Sequence, residues 1–594
     1  MARPTTAFPP AIDDASSRDT AATAPEHDQS ATGPAWLSPW LIVLLAVALR
    51  WPLLLLTTGS DYWFYQSLGR LSNLGFYPYI HYWLEYPPVF PWLAVAVYRI
   101  TTLFPPALFG DADATFHTAL GTISVLADAG IVALIGAIGG ELWPRGEYTR
   151  RMLVYAVLFW PIAVAVGWYD ALPCALMLLG LYLLLRARPA GAGALAGLGF
   201  MTKIIPGLLG PVAVKFLPRR GWLTTLVTAV TVTLAIAVPL LIVSPTYFIA
   251  SYRAVFSRSS WETVYALLDG YFSYGKVAPI GVRFDPTTAG YVAFPSRLPA
   301  IPVAIVFAIA YLVLWLRPVA RTARNVVTFT ALSTLLFLLY SKGYSPQFII
   351  YLLPFILLLL PWRRAIGYTL ALSAINLLEW PLYHEWLSQV HWVLVLAVVA
   401  RTLLWLGLGA EWLAELWQLR NPIAAIRLSR RTLTVAAASA LVVAIVLSAL
   451  AIRTWTQAYY NGSDLRPAYD FVQRYEPAAG GKTAFVLTDD DLYERFHPYF
   501  WREGDFYLLR PESAGDQTYK VPQFTPDGQR ATLETIARDH AQIVFIRTED
   551  DWTSRDLNDW LTQHMQAIGT VRAANADVSI WRTPPPTPHP PGTP

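Results

Sequence analysis

Residues Tyr86–Phe104 read Tyr-Pro-Pro-Val-Phe-Pro-Trp-Leu-Ala-Val-Ala-Val-Tyr-Arg-Ile-Thr-Thr-Leu-Phe. The stretch is apolar and close to the length a helix needs to cross ~30 Å of hydrocarbon, but it opens on Pro87 and Pro88. Whether it crosses fixes the sidedness of everything after it. Lys and Arg concentrate in six clusters between apolar runs: Arg145/Arg150/Arg151, Arg186/Arg188, Lys215/Arg219/Arg220, Arg317/Arg321/Arg324, Arg363/Arg364 and Arg420/Arg427/Arg430/Arg431. If all six face the cytoplasm, the runs alternate consistently, provided 86–104 stays on one side and 191–217 is a hairpin or broken helix. Residues 59–116 therefore form one large external loop whose Pro-led part lies along or dips into the interface.

Composition agrees with a membrane chain. Of 594 residues, 55% are hydrophobic and 14% charged, where a soluble domain carries roughly 25% charged. Residues 1–453 hold 31 basic and 20 acidic side chains, and 454–594 hold 13 and 20. Basic residues interspersed with apolar runs describe short cytoplasmic loops rather than a nucleic-acid face. The single cysteine, Cys174, excludes an internal disulfide.

The expected organisation is a disordered cytoplasmic tail at 1–35, then a transmembrane domain at 36–452. The tail lacks the pattern of a cleavable signal, so Trp36–Thr58 remains as the first span. Apolar runs follow at 117–139, 151–168, 172–185, 191–217, 222–243, 301–316, 326–340, 347–361, 366–380, 391–408 and 433–452. This topology puts the loops 59–116 and 244–300, Gly167–Asp170, Ser341–Gln347 and 381–390 on the outer face. Beyond 453 the apolar runs shrink to strand length at Ala484–Thr488, Gln542–Arg547 and Val578–Trp581, and helical patterns cover 465–475, 530–540 and 554–568. These predict an extracytoplasmic α/β domain over 453–583, with a Pro-rich tail at 584–594.

Candidate chemistry gathers on the outer face. Asp61 lies just past the first span among Tyr62, Trp63, Phe64 and Tyr65, followed by Gly75-Phe-Tyr-Pro-Tyr79 and Glu85-Tyr-Pro-Pro88. An acid partly desolvated by aromatics has a raised pKa and makes a better base; the plainer alternative is an aromatic belt around a solvated acid. Asp170 is either a second site carboxylate or a helix N-cap. Lys203 sits within an apolar run, where a charge costs on the order of 2.5–3.5 kcal/mol, and calls for either a lipid-linked phosphate or a structural counter-ion. Arg50, two turns before the outer end of its span, can pair with a site carboxylate. Arg253 and Arg258, with Tyr252 and Trp261, make the loop 244–300 basic on the side where basic residues are disfavoured, which favours an anionic ligand unless loop length alone explains it. Ser341-Lys-Gly-Tyr-Ser-Pro-Gln347 adds Lys342 and Gln347 on irregular backbone. Glu379, His384 and Glu385 form a weaker cluster. No HxxxH or CxxC motif occurs, so no tight metal site is predicted.

The ordered set Arg50, Asp61-Tyr…Tyr65, Gly75…Tyr79, Glu85-Tyr-Pro-Pro88, Gly167…Asp170, Lys203…Pro206 and Lys342…Gln347 resembles the GT-C integral-membrane glycosyltransferases over residues 36–400. It is most similar to the bacterial polyprenyl-phosphate-mannose-dependent α-mannosyltransferases of family 87, with kinship to the first mannosyltransferase of glycosylphosphatidylinositol synthesis. The resemblance implies an all-α polytopic GT-C fold of about 12–13 transmembrane helices in the bacterial plasma membrane, carrying an extracytoplasmic α/β domain. It further implies transfer of a sugar, mannose foremost, from a polyprenyl-phosphate donor to a lipid, glycan or protein hydroxyl of the cell envelope, with inversion. Asp61 is then the base. Lys203, Arg253, Arg258 and Lys342 hold the donor phosphate, and Tyr65, Tyr79, Glu85, Asp170 and Gln347 hold sugar or acceptor. No cofactor is implied, although a loosely bound divalent cation bridging carboxylate and phosphate leaves no signature. Two other classes use similar residues: a transporter or flippase for a lipid-linked sugar, and a non-catalytic assembly factor that kept the fold.

Overall fold

The computed structural model describes residues 38–420 apart from 56–60, 74, 105–111, 159–166, 273–282, 291–295 and 389. It also describes 466–583 apart from 476–480, 489–495, 497–499, 501–503, 510–525, 548–551 and 574–575. The expected tails at 1–35 and 584–594 and the run 433–452 lie outside the described residues, as do residues 159–166 of the run 151–168. The chain divides into two units, 1–278 with 289–449, and 279–288 with 450–594.

The first unit is helical. Among the described residues, four helices are long and apolar enough to cross a membrane, ending at Leu142, Val243, Tyr340 and Leu416, and there are shorter apolar helices besides. Helix Arg219–Val243 fully buries only Thr225, and an apolar face from Leu223 through Val227, Val230, Leu234 and Val238 to Leu241 stays exposed, as suits a helix for which hydrocarbon is the solvent. Helix Leu353–Leu359 is the opposite, with every residue buried at the centre of the bundle. The run 347–361 is thus not one regular span. It is a 3-10 turn, Pro346–Tyr351, followed by that short helix, whose start Pro354 accommodates because the first turn needs no N–H there.

Val89–Thr101 is a helix of 13 residues, about 20 Å at 1.5 Å per residue and too short to span hydrocarbon. The run 191–217 is a broken helix: Pro189–Phe200, a break at 201–204, the 3-10 turn Ile205–Leu208, and Leu209–Phe216. The break places Lys203 on irregular backbone. Helix Pro189–Phe200 meets Arg219–Val243 through glycines; a Cβ at Gly193 would stand 2.2 Å from the Thr225 carbonyl oxygen, and one at Gly197 2.4 Å from that of Ala229. Close backbone approach through small residues is how helices associate where apolar burial offers no drive.

Arg50 corrects one expectation. It does not pair with a site carboxylate; its Nε donates to Asp128 Oδ2 at 2.5 Å, and its other nitrogens donate to the carbonyls of Tyr155 and Ala156. Those carbonyls lie in the last turn of helix Arg145–Val157, where that of Tyr155 also accepts from Leu158 N–H, and a cation with several donors bonds to both of them and to Asp128 at once.

The described residues of the second unit form a five-stranded sheet with the helices Arg466–Arg474, Pro526–Asp539 and Trp552–His564. Its strands are β1 (Thr483–Leu487), β2 (Asp505–Leu508), β3 (Gln542–Arg547), β4 (Gln566–Ala573) and β5 (Ala576–Arg582), in the order β2-β1-β3-β5-β4. β1 runs parallel to β2 and β3, while β5 is antiparallel to β3 and β4. Alternate residues of β1 and β3 face two separate cores, Phe485 and Val544 on one side and Val486 and Phe545 on the other. Both faces are covered, which is why these strands read as unbroken apolar runs. The predicted helix 554–568 stops at His564, and its last residues belong to β4. β4 is a largely exposed edge strand with a register shift near Gly569, so its sequence lacks the apolar run that marks β1 and β3.

Candidate active site

Three loop segments and one helix break come together at the ends of the helices. Leu84 N–H donates to Ser251 Oγ at 3.0 Å, tying the first loop to helix Pro245–Ser257. Val89 N–H donates to the Met201 carbonyl at 3.0 Å, tying the same loop to the break beside Lys203. Trp261 exchanges main-chain bonds with Lys342 and Tyr344, and its indole donates to Ser345 Oγ at 3.0 Å. Its ring lies flat on Gly343, where a Cβ would meet it at 2.1 Å, so only glycine lets the two segments close.

Asp61 lies at the start of helix Tyr62–Asn73, half-buried. Tyr65 donates its hydroxyl to Asp61 Oδ2 at 3.3 Å, and the Trp168 indole also donates to this carboxylate. Burial pushes the Asp61 carboxyl up to about 6, against the lowering pull of Trp168, Tyr65 and Arg258; nearby Glu85 adds to the rise. An acid at that value is mostly ionised at neutral pH yet remains basic enough to take a proton.

Around it the aromatics are stacked rather than scattered. Tyr65 meets Phe90 edge-on with centroids 4.8 Å apart, and Phe90 stacks on Tyr169 at 3.9 Å. Tyr79, buried and at φ 65°, donates its hydroxyl to the Tyr86 carbonyl at 2.7 Å and so shapes the turn that carries Glu85, itself buried. Asp170 occupies the N-cap position of helix Ala171–Leu185, but its side chain does not cap it. Instead it accepts from Lys203 and, at 2.9 Å, from Tyr351. Lys203 Nζ sits 4.1 Å from the centre of the Phe348 ring. Its ammonium has three donors, and the side chain remains 19% exposed, so the pairing leaves a donor for a further anion.

The structure therefore brings Asp61, Tyr65, Glu85, Asp170, Lys203 and Arg258 into electrostatic reach of one another. Arg258 lies over the Trp261 ring at 4.2 Å. Lys342 is placed by its carbonyl, which accepts from Trp261 and Thr263, and Gln347 is buried in the following 3-10 turn. Arg253 is not brought into the group; it is exposed and its guanidinium packs over Gly290. Trp168, Phe348 and Tyr351 were not predicted. Only Trp168 carried a signal, standing beside Tyr169 and Asp170 in the outer turn. Among the described residues, no group of three or more His, Cys, Asp or Glu side chains gathers to hold a metal.

Residues 83–341 match the family model of glycosyltransferase family 87. Over this stretch the chain is similar to the glycosyltransferases of that family. The matched stretch includes Glu85, Asp170, Lys203 and Arg258, whereas Asp61 lies before it and Lys342 immediately after it. Among solved structures it is similar to ArnT from Cupriavidus metallidurans in the apo state, with 16% identity and a TM-score of 0.48 over 91% of this chain and 97% of that one. It is also similar to the Archaeoglobus fulgidus oligosaccharyltransferase in the apo form, with 14% identity and a TM-score of 0.32 over 85% and 69%. No curated protein matches it.

Proposed function

We propose that the protein is a membrane glycosyltransferase of the GT-C type that moves a sugar, mannose by its resemblance, from a polyprenyl-phosphate donor to a hydroxyl of a cell-envelope acceptor on the extracytoplasmic face. The observation that carries this reading is a half-buried carboxylate, Asp61, within electrostatic reach of Arg258 and Lys203 under a stacked aromatic wall. Asp61 takes the proton of the acceptor hydroxyl as its oxygen bonds to the anomeric carbon. The bond from that carbon to the phosphate oxygen breaks, and polyprenyl phosphate leaves from the opposite face, giving inversion. Charge grows on the departing phosphate, so fixed cations placed there lower the barrier; Lys203, Arg258 and Lys342 take this role. Tyr65, Tyr79 and Glu85, with Asp170 and Gln347, shape the sugar and acceptor pocket. The reading needs no resident cofactor and is compatible with a loosely bound divalent cation bridging carboxylate and phosphate.

The test is transfer of radiolabelled sugar from polyprenyl-phosphate donors by the purified protein and by Asp61→Asn. Transfer by the wild type and its loss in the variant support the reading. Transfer retained by Asp61→Asn removes Asp61 as base. Absence of transfer with any donor, together with movement of the lipid-linked sugar across liposomes, makes the protein a flippase instead.

A further inference from the structure

A second group of buried charges adjoins the segment that carries Arg258, and the mechanism above does not use it. His384 Nε2–H donates to a carboxylate oxygen of Glu262, and Arg401 donates to Glu379 and to the Glu262 carbonyl. His384, Glu262, Glu379 and Arg401 are each at least 95% buried. Arg401 also lies 3.6 Å from the centre of the Tyr344 ring, on the segment paired with Trp261. Glu262 is held at φ 49°, a left-handed backbone that a non-glycine residue keeps only when its surroundings impose it.

The contacts of this group lead back to Asp61 by two routes. Through the chain, Glu262 follows Trp261, the ring on which Arg258 rests, and Arg258 is the cation nearest in effect to Asp61. Through space, His384 neighbours the Trp380 ring at 6.2 Å, and Trp380 meets Trp168 edge-on at 6.0 Å. Trp168 is the indole that donates to Asp61. The pair thus closes a ring of contacts around the carboxylate.

We propose that the buried His384–Glu262 pair is a positioning clasp, holding Trp168 and Arg258 against Asp61 at once. The inference rests on Asp61 being the base. Trp168 and Arg258 both lower the affinity of Asp61 for a proton, while Glu85 raises it and Tyr65 donates to it. Lys203 and Asp170 lie in the same field. On the clasp itself the facing groups are Glu379, Arg401, Tyr383 and Tyr344. Loosening the clasp releases both lowering influences, so Asp61 holds its proton to higher pH.

The experiment is the pH dependence of sugar transfer by the full chain in detergent, between about pH 5 and 8, for wild type, His384→Ala, His384→Gln and Trp168→Phe. The expected result is an acidic limb near pH 6 in the wild type, moved upward by about half a unit or more in His384→Ala. Trp168→Phe moves it the same way, and His384→Gln, which keeps a donor for Glu262, moves it less. A rate lowered equally at every pH, with the limb in place, overturns the clasp while leaving Asp61 as base. A wild-type limb that survives in Asp61→Asn overturns both. If His384→Ala does not fold, Trp380→Leu breaks the same route at its next link and decides the outcome by the same shift.

Discussion

Lys203 and Asp170, 33 positions apart, form an ion pair in which the acid is 1% exposed and the lysine 19%. The more exposed partner is the one offered to a ligand; the buried one fixes its place. Removing one charge of such a pair strands the other, at a cost of about 3–5 kcal/mol. Lys203→Met is expected to lower the melting temperature of the detergent-solubilised protein sharply and to abolish transfer. Adding Asp170→Asn to it should recover stability but not transfer. Equal melting temperatures for the single and double variants would show that the pair is not coupled.

Asp61→Asn keeps the shape of the side chain and its contact with Tyr65 but cannot take a proton. Transfer should fall by about 10²–10⁴-fold, the usual contribution of a general base, with donor binding retained. Donor binding is checked separately by competition with unlabelled polyprenyl phosphate.

The pH profile follows from the same residue. Asp61 is active when ionised, and burial raises it to about 6; transfer should be flat above pH 7 and fall about tenfold per unit well below pH 6. An acidic limb near the ordinary carboxylate value would mean that the carboxylate is solvated in the working enzyme.

Two glycines separate packing from helix propensity. Gly197→Ala puts a Cβ against the Ala229 carbonyl, forcing two helices apart at a cost of about 1–3 kcal/mol. Gly367→Ala, in the middle of helix Trp362–Leu377 with nothing within 4 Å of the new Cβ, should instead stabilise by about 0.5–1 kcal/mol. Thermal melting of both variants checks the contrast; a destabilised Gly367→Ala would show that its surroundings are not open.

Much of this site could be read before any coordinates. Asp61, Glu85, Asp170 and Lys203 stand out because a charge among aromatics or within an apolar run is costly and therefore conspicuous. Residues that act through uncharged contacts did not stand out: Tyr351, Phe348 and Trp380 are ordinary apolar-run residues until the fold shows what they touch. Arg50 misled in the other direction. Its position near the outer end suggested a site carboxylate, but its partner Asp128 lies 78 residues away on another helix.

The sequence by itself determined that the chain is a membrane protein with an α/β end, because a bilayer demands long apolar runs and a doubly covered sheet demands short ones. It also left 191–217 as a hairpin or a broken helix and kept the Pro-led 86–104 from counting as a span, since the basic clusters and the prolines constrain both; the structure placed the break, at 201–204. Only the tertiary structure decided which charges meet. Asp170 with Lys203, Arg50 with Asp128, and His384 with Glu262 are pairings between distant segments, selected by helix packing and by the penalty for leaving a buried charge alone.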